Sequence, residues 1–206
     1  MLSLIIGSVI FIETCVCKLI YKKNQNEAEE ILRVAYEYVS DGKNVGKENA
    51  EEKCINQENT SSTAEVQESK KDSVSENKDI IGILKINKLN IEAPIRDGTS
   101  QEIMRTSIGH FYESDYWNGN VSLASHNGGT NAHFFEKINT LNVNDEIEYI
   151  TKQGKRKYKV QSIKEIESTD WSLVVKKNNQ SENTITLITC INKQPNYRLC
   201  VRGIEI

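Results

Sequence analysis

From Ile80 to Ile206 the sequence is a series of short runs rich in β-branched residues, cut at intervals by turn dipeptides. The runs are Ile80 to Ile86, Leu89 to Ile95, Val121 to Ser125, Glu146 to Thr151, Lys157 to Ile166, Thr184 to Thr189 and Tyr197 to Ile206. Asp97-Gly98, Asn118-Gly119 and Gln153-Gly154 punctuate them. β-Branched and aromatic side chains fit a pleated, half-buried surface, and a glycine after an acidic or amide residue accepts the backbone of a tight turn. Seven or eight strands with only brief helical stretches, near Ser100 to Ile108 and His133 to Thr140, point to a mainly β fold, a closed barrel or a sandwich. The two prolines, Pro94 and Pro195, fall where strands can begin or end.

What precedes this segment has different physics. Between Leu2 and Ile20, thirteen of nineteen residues are apolar. At about 1.5 Å per helical residue the run approaches the roughly 30 Å of a hydrocarbon core. Residues 1–23 are therefore expected to form a membrane anchor, with Glu13 expensive inside a bilayer and Lys18, Lys22 and Lys23 placed near its boundary. Asn26 to Val39 sets Ala28, Ile31, Leu32, Ala35 and Val39 on one helical face, a short amphipathic helix ending at Ser40-Asp41-Gly42. Asp41 to Asp79 has no aromatic residue and carries ten acidic against six basic side chains, so it buries too little surface to offset its ordering entropy. The expected organisation is an anchor over 1–23, a juxtamembrane helix and flexible polar linker over 24–79, and a folded domain over 80–206. That last segment holds ten of the chain's fourteen aromatic residues.

The chemistry begins with exclusions. A net charge of −3 offers no electrostatic footprint for nucleic acid. His110, His126 and His133 form no HExxH and no CxxC accompanies them, so no metal is expected. No phosphate-binding glycine pattern occurs, and no cofactor is implied. What remains is Ile185-Thr186-Leu187-Ile188-Thr189-Cys190, an apolar strand ending on a cysteine. A strand end fixes a nucleophile while the following loop leaves it open. Arg198 starts the last strand eight residues later, where its fixed charge can favour thiolate and stabilise an oxyanion. Another apolar strand, Val121 to Ser125, ends on His126. Cysteine, histidine and arginine at strand ends make a nucleophile, a general acid/base and an electrostatic partner. Each also has a plainer reading: Cys190 as a core residue or half of a disulfide with Cys200, and Arg198 as a surface charge.

Thr186-Leu187-Ile188-Thr189-Cys190 followed by Arg198 resembles the TLxTC and downstream arginine of the sortases. Ile81 to Ile86 with Ile91 to Ile95 resembles the opening strands of that family. Ile108-Gly109-His110-Phe111 is similar to its GHF segment, and Leu123-Ala124-Ser125-His126 to its LAGH segment, with Ser125 in place of the usual glycine. Thr169-Asp170-Trp171-Ser172 adds a likeness to the class D members of Gram-positive bacteria.

The resemblance implies a closed seven- to eight-stranded β-barrel in which Cys190 is the nucleophile, His126 the acid/base and Arg198 the oxyanion or substrate-orienting residue. Arg202 competes for that last role because it shares a face with Arg198 at period two. No carboxylate is nominated to orient the histidine. Thr189, Ala93, Ile95, Leu123 and Ile188 are expected to contribute to the substrate groove. His110 and His133 are read as structural or surface residues, and Trp171 as a loop anchor. The implied activity is a transpeptidase cleaving an LPxTG-like motif through a thioester. Its partners would be surface proteins with a C-terminal sorting signal and a peptidoglycan or other amine. It would be held to the cell membrane by a single pass, with the catalytic domain outside. The rival readings are a tethered cysteine peptidase that only hydrolyses and a surface β-module without catalysis.

Overall fold

The computed structural model describes residues 2–44, 79–175 and 182–206, with side chains in the first of these segments described from 13 to 42. Most of the expected linker, 45–78, lies outside the described residues. Eight strands follow: β1 (Ile80–Ile86), β2 (Ile91–Asp97), β3 (Ile108–His110), β4 (Asn120–Ala124), β5 (Glu146–Thr151), β6 (Gly154–Glu167), β7 (Thr184–Ile191) and β8 (Gln194–Glu205). They close into a barrel in the order β1-β2-β3-β4-β7-β8-β6-β5. The pairs β2·β3 and β4·β7 are parallel and the rest antiparallel. Closure leaves no free sheet edge, the common solution for a small all-β domain.

Period-two alternation puts one face of each strand inside. Leu84, Ile95, Leu123, Ile147, Tyr149 and Ile185 are fully buried in one continuous core. Each such side chain contributes roughly 1.5–3 kcal/mol by leaving water. Two of the turn glycines that marked strand ends, Gly98 and Gly119, take φ of +97° and +100°, which side chains with a Cβ rarely adopt.

The helical expectation over Ser100 to Ile108 holds only for α2 (Gln101–Met104), whose N-cap Ser100 Oγ accepts from Ile103 N at 3.3 Å. The rest becomes β3, a three-residue strand beside β2. Gly109 makes that approach feasible, because a Cβ there would lie 2.5 Å from the Gly98 carbonyl oxygen. Within His133 to Thr140 the chain makes turns and a short 3₁₀ segment, Ile138–Thr140, rather than an α-helix.

The N-terminal segment is one helix, α1 (Leu2–Asn44), in which the expected juxtamembrane helix is the second half. Nothing between Ile20 and Asn26 breaks a helix, so the apolar and amphipathic stretches join. Among the described residues no helix is long and apolar enough to cross a membrane. The side chains of the first half of the expected anchor lie outside the described set. The later stripe packs on the barrel: Ile31, Ala35 and Val39 form a cluster with Ile80 and Ile83 of β1. Tyr36 OH donates to Glu92 on β2, and Lys152 Nζ sits 3.8 Å from the Tyr38 ring centroid.

Candidate active site

The barrel's pairing builds the site at one end. In the β4·β7 ladder Ala124 is level with Ile188, so His126 and Cys190 each lie two residues past that pair. In the antiparallel β7·β8 ladder Cys190 is directly opposite Arg198, which places both side chains on one face of the sheet. Cys190, His126 and Arg198 all line one groove of about 290 Å³. A satellite cluster of Phe111, Val174, Ile188 and Cys200 packs beneath it. Trp171, 54% exposed, meets Phe111 edge-on with centroids 5.8 Å apart and forms part of the wall. Cys190 also lines a second, more polar cleft of about 260 Å³ with Asn127, Glu136, Asn139, Glu165 and Asn192.

The two domain cysteines divide sharply. Both are free thiols; Cys190 is exposed and Cys200 buried. Burial pushes the Cys200 thiol up to about 11, so it is inert at neutral pH. Cys200 is opposite Ile188, two residues from the Cys190·Arg198 pair.

Two hydrogen bonds from side chains to carbonyls hold the chain around Cys190. Asn127 Nδ2 donates to the Cys190 carbonyl at 2.8 Å, and Thr189 Oγ1 donates to the Ser125 carbonyl at 2.8 Å. Together they tie the end of β7 to the loop that carries His126. That imidazole is half-buried, and desolvation first, then the charge of His133, holds its pKa below the ordinary 6.5. Asn131 Nδ2 lies 3.2 Å from His126 Nε2. An amide nitrogen only donates, so Nε2 accepts and the neutral ring carries its proton on Nδ1. An amide therefore stands where the sequence nominated no carboxylate.

Arg198 Nη1 donates to the carbonyls of Pro195 and Tyr197, 2.8 Å each, so the guanidinium is anchored by the first residues of its own strand, β8. Its remaining donors are the ones that can meet a substrate oxygen. Arg202 sits opposite Thr186, and its Nη2 approaches Thr184 Oγ1 at 3.5 Å, toward the other end of the strands and outside the groove.

Of the expected groove residues, Thr189 and Ile188 line the groove. Ala93, Ile95 and Leu123 do not: all three are fully buried in the barrel core. Their strand parity points them inward, opposite to the face that carries the groove. His110 is fully buried, with Nδ1 3.0 Å from Asp97 Oδ1 and Nε2 3.1 Å from the Asp115 carbonyl, a structural placement. Sequence reasoning missed Asn120. Its Nδ2 donates to Leu173 and Val174 carbonyls at 2.9 and 3.1 Å, and its Oδ1 accepts from Thr184 and Thr186 hydroxyls. It thereby ties the groove wall to β4 and β7. The one available signal was a polar residue at the start of an apolar strand. Among the described residues no group of three potential metal ligands converges.

Residues 84–205 match a family model described as a sortase domain. A curated relative, Sortase D of Bacillus subtilis (strain 168), is 28% identical over 111 residues, covering 53% of this chain and 53% of the relative. The chain thus spans about half the length of the curated relative it matches. Among solved structures, sortase C1 from Streptococcus agalactiae superposes with a TM-score of 0.57 at 28% identity, over 63% of this chain and 69% of that one. A Clostridium perfringens Sortase D5 transpeptidase shares the fold over 91% of this chain and 98% of its own, with a TM-score of 0.57 and 24% identity.

Proposed function

The chain belongs to the sortase family, whose members are cysteine transpeptidases, and on that premise we propose that it cleaves an LPxTG-like motif between Thr and Gly and passes the acyl group to a cell-wall amine. The convergence of Cys190, His126 and Arg198 on one groove carries this reading.

Cys190 thiolate attacks the Thr carbonyl carbon, and Arg198 donates to the oxyanion that develops. As the C–N bond breaks, His126 as imidazolium gives its proton to the departing Gly amine, leaving a thioester and a neutral ring. An acceptor amine then attacks the thioester, His126 takes its proton, and the Cys190 sulfur leaves as thiolate. The depressed His126 pKa favours the neutral imidazole that this second half needs. The apolar groove suits the motif's aliphatic end. The amide- and carboxylate-lined cleft that Cys190 also borders suits an amine arriving as ammonium.

The whole enzyme is read as held in the cell membrane by a single pass over 1–23, with residues 80–206 catalysing outside and 24–79 linking them. The apolar composition of Leu2 to Ile20 supports the anchor.

Incubation of the protein with LPxTG-like peptides should give a thioester on Cys190, seen by mass spectrometry. Added glycine or diaminopimelate should convert the product from acid to amide. Cys190→Ala should lose both products. Turnover by that variant would remove Cys190 as nucleophile, and acid product alone at high amine would make the protein a peptidase.

A further inference from the structure

We propose that α1 is a positioning element of the active site: through Asn24 it holds the loop that carries His126. The inference rests on the role given to His126 above. Two adjacent glycines, Gly128 and Gly129, interrupt the loop with φ of +139° and +94°, and a Cβ on either would meet nothing within 4 Å. A segment with that backbone freedom and no packing at its tip takes its shape from its anchors.

On one side the anchors belong to β7, through Asn127 and Thr189. On the other they belong to α1. Asn24, only 3% exposed, donates from Nδ2 to the Thr130 carbonyl at 2.7 Å, and its Oδ1 accepts from Arg105 Nη1 at 2.9 Å. The Arg105 carbonyl in turn accepts from Ala132 N at 2.8 Å. Tyr21, one helical turn earlier, stacks on His133 with centroids 4.8 Å apart and planes 19° from parallel. A buried amide destabilises a helix face unless both its ends are bonded. Here one end meets the loop and the other meets the side chain of the residue whose backbone also holds it. Thr130 and Ala132 flank Asn131, the residue whose amide reaches His126 Nε2. The anchors that lead back to α1 therefore bracket the group that orients the imidazole.

Asn24→Asp in the chain of residues 1–206, in mild detergent, tests this, because it keeps the acceptor for Arg105 and removes the donor to Thr130. Ile31→Ala is the control: it loosens α1 on β1 without touching the loop. Two quantities are read: kcat and KM for transpeptidation, and the ¹⁵N resonances of the His126 ring in the absence of substrate. Asn24→Asp should lower kcat on the order of tenfold or more, leave KM within about twofold, and replace the single-tautomer ring pattern by an averaged one. Ile31→Ala should keep the wild-type ring pattern and kcat despite a lower melting temperature. A wild-type ring pattern in Asn24→Asp, or an equal loss of kcat in Ile31→Ala, overturns the positioning role. Absence of a thioester in the wild-type chain would instead refute the transpeptidase reading, and the substrate-free ring spectra would still judge the loop.

Discussion

Arg198 and Arg202 sit four residues apart on one strand, point to the same face, and are separated only by where the ladder puts them. Arg198 is opposite Cys190 and lines the groove, whereas Arg202 is opposite Thr186 and lies outside it. Under the proposed mechanism, the oxyanion forms in the groove that Arg198 lines and Arg202 does not. Arg198→Lys should therefore cost about 10²–10³ in kcat, the usual loss when an oxyanion donor goes, since a point charge does not replace a planar fork. Arg202→Lys should change kcat by less than about threefold, as expected for a group that meets no transition-state charge. Single-turnover acylation rates of the two variants decide it; the reverse ranking would move the oxyanion role to Arg202. At this scale much of the candidate site was legible. Cys190 and His126 stand at or just past strand ends, where periodicity and turn residues mark positions well, whereas Arg198 lies inside β8, which starts at Gln194 rather than beside it, and its place follows from the pairing opposite Cys190. Ala93, Ile95 and Leu123 were misplaced because an apolar strand residue reads the same whether it faces the core or a groove, and only pairing register sets the face.

Among the elements, the wall of the groove depends on a short strand start rather than on the strands' apolar faces. Asn120 opens β4 and is 1% exposed. Its amide holds the turn at Leu173 and Val174 on one side and two β7 threonines on the other. Ser122 Oγ adds a bond to the Val174 carbonyl at 2.8 Å. Asn120→Leu strands the Leu173 carbonyl and the Thr186 hydroxyl in a buried site, at about 1–3 kcal/mol for each polar group left unbonded, while Ser122 still serves the Val174 carbonyl. We expect a stability loss of roughly 3 kcal/mol or more by urea unfolding and a raised KM for the acyl donor, because Trp171 and Val174 no longer hold the wall. Unchanged KM with lowered stability would confine Asn120 to folding. Strand positions followed from alternation and glycine turns, but this hub did not, because its partners are more than fifty residues away in sequence. β3 escaped for another reason: three residues are too few to show a period, and Gly109 weakens any strand signal it has.

The molecule as a whole is more than the barrel. β1 turns Ile80 and Ile83 toward α1, and Ile31, Ala35 and Val39 cover them. The composition of the intervening stretch marked a linker, and a linker hides which elements meet across it, so the helix's amphipathic face was legible and its seat was not. A chain beginning at Ile80 exposes that face of β1 and loses the Asn24 and Tyr21 anchors; a chain beginning at Ile20 keeps them all. Uncovering several apolar side chains removes on the order of a few kcal/mol, an upper estimate from buried area. For a domain of this size that lowers the melting temperature by roughly 10 °C. The shorter chain should also lose kcat beyond what its fraction folded explains, because His126's loop is released on one side. Circular dichroism melts and turnover of the two truncations at a temperature where both are folded separate these effects. Equal melting temperatures and equal kcat would mean that the helix lies on the barrel without energetic or catalytic consequence, and that the catalytic unit begins at residue 80.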